Sequence, residues 1–228
     1  MRRSSVETKR MKRASLVNSR LTSEYGRKVQ EYAYDPLDTL IETILSQNTS
    51  DVNSARAFES LRFRYPRWSD VLAADQAEIA ETIRSGGLAE IKADRIKSVL
   101  SLLSRQRGDL SLDFLGEMEL RDAERWLTSL HGVGPKTVAI VLLFSLGKPA
   151  FPVDTHVFRV SRRIGLAGQK SSKEAVQREL ERIVRPEEYY NLHVNLIEHG
   201  RRKCKARAPR CGECAISDMC DFFSQSEK

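Results

Sequence analysis

The chain has 228 residues, of which 40% are hydrophobic and 30% are charged. This mixture is typical of a globular protein and excludes a fibrous or disordered chain. The length allows one large domain or two small interlocked ones. No apolar run approaches the roughly 18–20 residues of a membrane span, and no signal-peptide core is present, so we expect a soluble, cytoplasmic protein. The net charge of +7 favours a polyanionic partner.

The positive charge is concentrated in two segments. Residues 1–20 contain seven basic residues and one acidic residue, a net charge of +6. We interpret this segment as a solvated, frayed tail, with an organelle transit peptide as an alternative. The second segment, 201–210, has six basic residues and no acidic one, and it is threaded among cysteines.

Hydrophobic periodicity predicts helices along almost the whole chain. The first predicted helix covers about residues 37–45, and the second begins after a cap at Asp51. The others lie at about 75–85, 90–107, 119–130, 135–146, 155–164, 172–184 and 187–199. Ile91 and Ile96 belong to the predicted apolar face of the 90–107 helix, and Gly200 suits the cap that ends the 187–199 helix. No segment has convincing strand alternation. We therefore predict an all-α protein of some ten helices.

A glycine-rich turn joins two of these helices. In the segment from Leu130 to Thr137, residues Gly132, Val133 and Gly134 form the turn, and a new helix begins at Pro135. Glycines let the backbone adopt positive φ and pass close to a partner, and the free N–H groups of the next helix can bind a phosphate. This is the sequence of a helix-hairpin-helix, which grips a DNA backbone without reading bases. A plain pair of helices with a glycine cap is the alternative.

Asp154 stands in the segment Phe-Pro-Val-Asp-Thr-His-Val, where an N-cap is expected. A capping carboxylate is the simplest interpretation. However, Asp154 follows Lys136 by 18 residues, across a single helix and its return loop. That distance allows the carboxylate and the amine to converge on one cleft.

All four cysteines of the chain lie in one short C-terminal segment, at Cys204, Cys211, Cys214 and Cys220. Clustered cysteines in an intracellular protein indicate metal more often than disulfides. Zinc sites usually pair two short Cys-x2–4-Cys knuckles, and this segment has only one, so the uneven spacing favours a 4Fe–4S cluster over zinc. Within the first loop, Lys205, Arg207 and Arg210 lie between ligands and are predicted to contact DNA.

The glycine-rich hairpin with its lysine, the Val-Asp-Thr-His-Val segment and the four-cysteine tail together resemble endonuclease III. This family comprises bifunctional DNA glycosylases of the helix-hairpin-helix superfamily. The resemblance runs in order from about residue 30 to the last cysteine. It implies two all-α lobes: a six-helix barrel over 29–148, and a cluster lobe made of 1–28 and 149–228. Double-stranded DNA with a damaged base or an abasic site is the implied partner, bound by a monomer.

The resemblance also implies a reaction. Lys136 matches the family's nucleophilic lysine and Asp154 its essential aspartate. A flipped-out nucleotide exposes C1′ of its sugar; the neutral amine displaces the base as a Schiff base, and β-elimination then breaks the 3′ phosphodiester. The aspartate stabilises the cationic sugar and relays protons. Because position 136 is a lysine, the resemblance implies a bifunctional glycosylase. Oxidised pyrimidines are the expected substrates.

Other positions match the family more loosely. Leu88 matches the wedge that fills the gap left by the flipped base, although a buried loop leucine is the alternative. Gln47 and Asn48 lie where the family places a polar side chain against the orphaned base, and either of them could insert. Gly132, Val133, Gly134 and Thr137 are the expected hairpin contacts to DNA.

Departures from the family pattern leave the lesion open. His131 replaces the usual proline, Pro135 the usual arginine, and Thr128 an acidic residue. A glycosylase for thymine or uracil opposite guanine, or for a modified cytosine, is therefore one alternative. A non-catalytic DNA-binding relative is another.

Overall fold

The computed structural model describes residues 5–30 and 34–226, without the side chain of residue 226. The chain divides into two compact units, one made of Met1–Tyr32 with Pro149–Lys228 and the other of Ala33–Lys148. We call them the outer unit and the middle unit after their places in the chain. The described residues form α-helices and short 3₁₀ turns without any strand, which confirms the all-α prediction. None of the described helices is long and apolar enough to cross a membrane.

The middle unit contains seven of the described α-helices. They are α2 (Pro36–Leu45), α3 (Asp51–Arg64), α4 (Trp68–Ala73), α5 (Gln76–Thr82), α6 (Ala89–Arg107), α7 (Leu120–Thr128) and α8 (Pro135–Phe144). Helix α2 begins after the Asp35 cap and has Pro36 in its first turn, where a missing N–H costs nothing. The cap of α3 is Ser50, one residue before the predicted Asp51, because the Ser50 hydroxyl accepts the hydrogen bond from Asn53 N.

Two apolar helices form the core of this unit. Helix α2 buries nearly all its residues and packs against α8, which is apolar along its whole length after the first turn. The Ser145 hydroxyl, just after α8, donates to Thr39 Oγ1 of α2 at 2.7 Å. A helix that is apolar all round must be buried, so α8 is a rigid support for the residues at its N-terminal end.

The segment between α6 and α7 is packed, although it has little regular structure. Leu112 and Leu115 are fully buried, and Phe114 makes an edge-on contact with Trp126 at 5.1 Å between ring centroids. Arg107 lies over the Phe114 ring, with Cζ 4.2 Å from the ring centroid. The aromatic and cation–π contacts therefore hold this segment against α7 and the end of α6.

The outer unit contains the other five described α-helices. They are α1 (Ser5–Tyr25), α9 (Thr155–Arg163), α10 (Lys173–Ile183), α11 (Tyr189–Arg202) and α12 (Asp221–Ser226). Helices α9 and α11 cross where Gly200 faces His156, and a Cβ on Gly200 would lie 2.9 Å from the His156 Cβ. The prediction that Gly200 ends its helix is therefore wrong. The glycine lies inside α11 and is required for the close approach of α9.

The predicted N-terminal tail is the other main correction. Residues 5–25 form α1, which buries Ala14, Val17 and Leu21 against α10 and α11, while residues 1–4 of the predicted tail lie outside the described residues. Three of the arginines of α1 pair with acidic residues far along the chain. Arg13 donates to Asp221 Oδ1 at 2.7 Å and to the Ile164 carbonyl at 3.0 Å. Arg10 donates to Glu179 at 2.7 Å, and Arg20 to Asp218. The basic residues of this segment therefore help to hold α1 against the rest of the outer unit through ion pairs.

Candidate active site and nucleic-acid interface

The hairpin has the predicted conformation. Helix α7 ends at Thr128, Gly134 is the N-cap of α8, and Gly132 has a φ of +78°, which only glycine adopts without strain. Val133 and the side chain of Thr137 are buried, whereas Gly134 is exposed. Because a glycine cap has no side chain to offer, the amides of the first turn of α8 are left for an acceptor from outside the helix. Val133 and Thr137 therefore contribute packing and backbone, with Gly134 at the surface.

Lys136 is the second residue of α8 and is exposed. The helix that carries it continues into the core through the buried residues Val138, Ala139, Val141 and Leu142. The base of the side chain is therefore held by a helix whose other end is buried in the core of the middle unit, while the residue itself is exposed. This combination suits a nucleophile that must be both fixed and reachable.

Asp154 caps α9 in the outer unit, as the simplest interpretation predicted. Its Oδ1 accepts the Val157 N–H at 2.7 Å. The preceding residues are strongly fixed: Phe151 and Val153 are buried, and the Pro152 carbonyl lies 2.9 Å from His193 Nδ1. The capping bond uses one carboxylate oxygen and orients the other, so the cap and a role in chemistry are compatible.

The two residues that follow α2 differ in their environment. Gln47 is half-buried, accepts a hydrogen bond from Arg95 Nη1 at its Oε1, and donates from Nε2 to the Gly132 carbonyl at 3.3 Å. Asn48 is exposed and has a φ of +54°. Asparagine tolerates this left-handed conformation better than most residues. The side chain of Asn48 therefore lies at the surface, next in the chain to the residue that contacts the hairpin.

Leu88 is exposed, which rules out the buried-leucine interpretation. It immediately precedes α6, has a φ of +50°, and leaves 50% of its surface in solvent. A non-glycine residue in this region carries backbone strain, so neighbouring contacts must hold the turn. The prediction of a wedge at Leu88 stays open, and its exposure supports it.

Sequence reasoning missed Lys92, whose ammonium group holds the Leu88 turn. Its Nζ donates to the carbonyls of Leu45 at 2.6 Å and Gly86 at 2.8 Å. The side chain is almost fully buried, and this burial lowers the pKa of Lys92, with the nearby charge of Arg95 adding to the effect. Ile91, predicted on the apolar face, is instead 50% exposed. The sequence alone would place a lysine in solvent and an isoleucine in the core. No local pattern shows that the opposite holds for these two residues.

The four cysteines line one cavity in the outer unit, together with Ile164, His199 and Phe222. Cys220 is buried and the other three are half-buried. Burial raises the pKa of the Cys214 and Cys220 thiols. The described residues contain no group of three or more His, Cys, Asp or Glu side chains arranged to hold a single metal ion.

Polar groups surround this cavity in a way that suits thiolate ligands. Arg163 Nη1 lies 3.4 Å from Cys204 Sγ, and His199 Nε2 lies 3.6 Å from Cys214 Sγ. Burial lowers the pKa of His199 to about 4, so the ring is neutral at pH 7. Its Nδ1 lies 3.0 Å from the Tyr25 hydroxyl; when that hydroxyl donates, Nε2 carries the proton and points to the sulfur. The donor set therefore fits an iron–sulfur cluster, whose sulfurs accept such bonds.

The basic loop between the first two cysteines is held by α9. Arg163 donates to the carbonyls of Lys205 at 2.8 Å and Ala206 at 3.1 Å, and the Arg210 amide donates back to the Lys203 carbonyl at 3.1 Å. Lys205, Arg207 and Arg210 are exposed. Their side chains therefore project from a backbone that is fixed at both ends.

Comparisons with known proteins match both parts of the chain. Residues 41–186 match the HhH-GPD superfamily of base excision DNA repair proteins, and residues 204–220 match the iron–sulfur binding domain of endonuclease III. The endonuclease III of Sulfolobus acidocaldarius is 34% identical over 192 residues, which cover 83% of each chain. This chain belongs to the endonuclease III family.

Further similarities agree with this assignment. The endonuclease III of Bacillus subtilis is 36% identical over 85% of this chain and 84% of its own length. A protein of Arabidopsis thaliana, provisionally named a DNA glycosylase, is 41% identical over 82% of this chain and 67% of its own. A solved structure of a trapped endonuclease III–DNA covalent intermediate has a TM-score of 0.81 at 27% identity, covering 96% of this chain and 99% of that one.

Family membership establishes the general function. This endonuclease III family member is a DNA-binding glycosylase/lyase of base excision repair. Its C-terminal cysteine segment is an iron–sulfur domain of the 4Fe–4S type, with the cysteines at residues 204, 211, 214 and 220.

Proposed function

We propose that this endonuclease III family member removes oxidised pyrimidines from duplex DNA and nicks the strand through a Schiff base on Lys136. The observation that carries the proposal is the exposed amine of Lys136 in the first turn of α8, directly after the Gly132–Gly134 turn. Phosphates bound at the hairpin would bring the sugar-phosphate backbone next to this amine.

The reaction divides between two side chains. The neutral Lys136 amine attacks C1′ of the flipped nucleotide, and the bond from C1′ to the base breaks, so the base leaves with the electron pair and takes up a proton. The C1′–O4′ bond then opens as nitrogen loses a proton and O4′ gains one, which leaves a protonated Schiff base. Loss of a proton from C2′ next breaks the C3′–O3′ bond, so the 3′ phosphate leaves with the electron pair and the strand is cut. Asp154 stabilises the positive charge on the sugar through the carboxylate that the α9 cap orients.

We assign the other predicted DNA residues to binding the duplex and not to the reaction itself. Leu88 fills the space left by the flipped nucleotide, and Asn48 or Gln47 faces the partner base. Lys205, Arg207 and Arg210 bind phosphates from the cluster loop. The cluster's cysteines fix this loop, and the cluster itself contributes structure.

We further propose that the protein acts as a monomer in the cytoplasm, and that it associates with the nucleoid if its source is a bacterium or archaeon. Sedimentation of the purified protein tests the monomeric state.

A panel of duplexes, each with one defined lesion, tests the substrate class. We expect base release and strand nicking with thymine glycol and 5-hydroxycytosine, and nicking alone with an abasic site, because the same Schiff base serves both steps. Undamaged duplex is the control. Excision of thymine or uracil opposite guanine, without activity on the oxidised bases, would contradict the proposed substrate class and support the mismatch alternative.

The cluster loop is expected to bind phosphate without selecting the lesion. Each phosphate contact releases condensed counterion, so Arg207→Ala should flatten the slope of log affinity against log salt by about one unit. Binding to damaged and undamaged duplex should weaken about equally. Arg105→Ala, an exposed arginine near the C-terminal end of α6, is the matched control. A changed ranking of lesions with an unchanged salt slope would place Arg207 in lesion recognition.

A further inference from the structure

Three separate segments of the middle unit meet at one arginine side chain. Arg95 lies on α6, seven residues after Leu88, which is the N-cap of that helix. Its Nη1 donates to Gln47 Oε1 in the loop after α2. Its guanidinium also covers the hairpin turn, where a Cβ on Gly132 would lie 2.9 Å from Arg95 Cζ.

Gln47 completes this contact from the other side. While its Oε1 accepts from Arg95, its Nε2 donates to the Gly132 carbonyl at 3.3 Å. The three residues are far apart in sequence, since 48 residues separate Gln47 from Arg95 and 85 separate Gln47 from Gly132. The glycine at 132 is thus needed twice, for its positive φ and for the space that Arg95 takes.

This arrangement leaves one hydrogen-bond donor of Arg95 unsatisfied. Its Nε is buried and has no hydrogen-bond partner, which costs free energy that a different rotamer in solvent would avoid. Unsatisfied buried donors in native proteins call for an explanation. Here the explanation is the geometry: Nε, Cδ and Cζ of Arg95 occupy the space beside Gly132 where a Cβ would stand.

We propose that Arg95 and Gln47 are positioning residues that lock the hairpin to the loop after α2, and that this lock presents Asn48 to the partner strand. Both ends of the Gln47 amide are engaged, whereas the next residue, Asn48, is exposed with a φ of +54°. Asn48 therefore faces the orphaned base, and Gln47 does not insert. This inference rests on the proposed function for the meaning of the two DNA segments.

Binding to a duplex with a tetrahydrofuran abasic analogue tests the lock without any chemical step. Arg95→Ala and Gln47→Ala should each weaken binding about tenfold, within the range of interaction free energies for contacting residues. The double variant should be no weaker than either single one, because each change breaks the same lock. Arg95→Lys, which can still donate to Gln47, should recover part of the loss. Lys97→Ala, which removes a hydrogen bond to the Ala74 carbonyl elsewhere on α6, is the control and should bind normally.

The role of Asn48 is tested with the four possible bases opposite the analogue. Asn48→Ala should level the affinities for the four duplexes in the wild-type background and have little further effect in the Arg95→Ala background. A merely structural Arg95 would lower the melting temperature but leave the effect of Asn48→Ala unchanged. If Gln47→Ala levels the affinities and Asn48→Ala does not, the inference is wrong. Because binding is measured without catalysis, failure of the Schiff-base proposal would leave these results interpretable.

Discussion

Lys136→Gln is expected to lose the borohydride-trapped complex with abasic DNA completely. Glutamine keeps a polar side chain, one atom shorter than lysine, but it cannot form an imine with C1′, so no reducible intermediate accumulates. The nicking rate should fall by about a thousandfold or more. Denaturing gel electrophoresis of the trapped complex and of the nicked strand measures both effects.

Two controls make the loss specific to Lys136. Lys170→Gln removes an exposed lysine of the outer unit and should trap at the wild-type level. Binding of Lys136→Gln to the tetrahydrofuran duplex should stay close to wild type, because the hairpin amides do not change. Trapping at the wild-type level in Lys136→Gln would show that another amine is the nucleophile.

Asp154→Asn is expected to slow turnover by about a hundredfold or more while keeping DNA affinity and fold. Asparagine caps helices as well as aspartate does, so the bond from the Val157 amide to the residue-154 side chain survives the change. Only the negative charge is lost, and with it the stabilisation of the cationic sugar. Single-turnover rates at saturating enzyme and the free energy of unfolding together separate the two effects.

Asp154→Ala provides the comparison that distinguishes a cap from a catalytic carboxylate. It should be slow like Asp154→Asn and, in addition, lower the free energy of unfolding by about 1 kcal/mol, the usual cost of a lost N-cap. If Asp154→Asn turns over at the wild-type rate, the carboxylate serves α9 alone. The residue that stabilises the sugar would then have to be found elsewhere.

Local sequence was sufficient where one periodic face or one cap decided the structure. The run from Leu37 to Leu45 predicted α2, and the glycine turn before Pro135 predicted the start of α8. Helix α1 escaped prediction because its stability comes from the burial of only three small or medium apolar residues and from ion pairs with acids far along the chain. Nothing within residues 5–25 reveals that those acids exist.

The same limit applies to the site. Lys136 and Asp154 stand out because a motif surrounds them, whereas Lys92 and Arg95 lie in an amphipathic helix, where basic residues usually face solvent. Their partners are backbone carbonyls and an amide from other segments. Only the folded chain shows that one of these cations is buried and that the other covers a glycine.

The pairing of Arg13 with Asp221 also constrains how the protein is made. These residues are 208 positions apart in the chain, and at about 5–20 residues per second a ribosome needs roughly 10–40 s to travel from one to the other. The middle unit is continuous in sequence, from Ala33 to Lys148, and can fold during that interval. Helix α1 has to wait for residues that are not yet synthesised. Its high charge and small apolar face, which hide it from sequence reasoning, keep it soluble until its docking surface emerges.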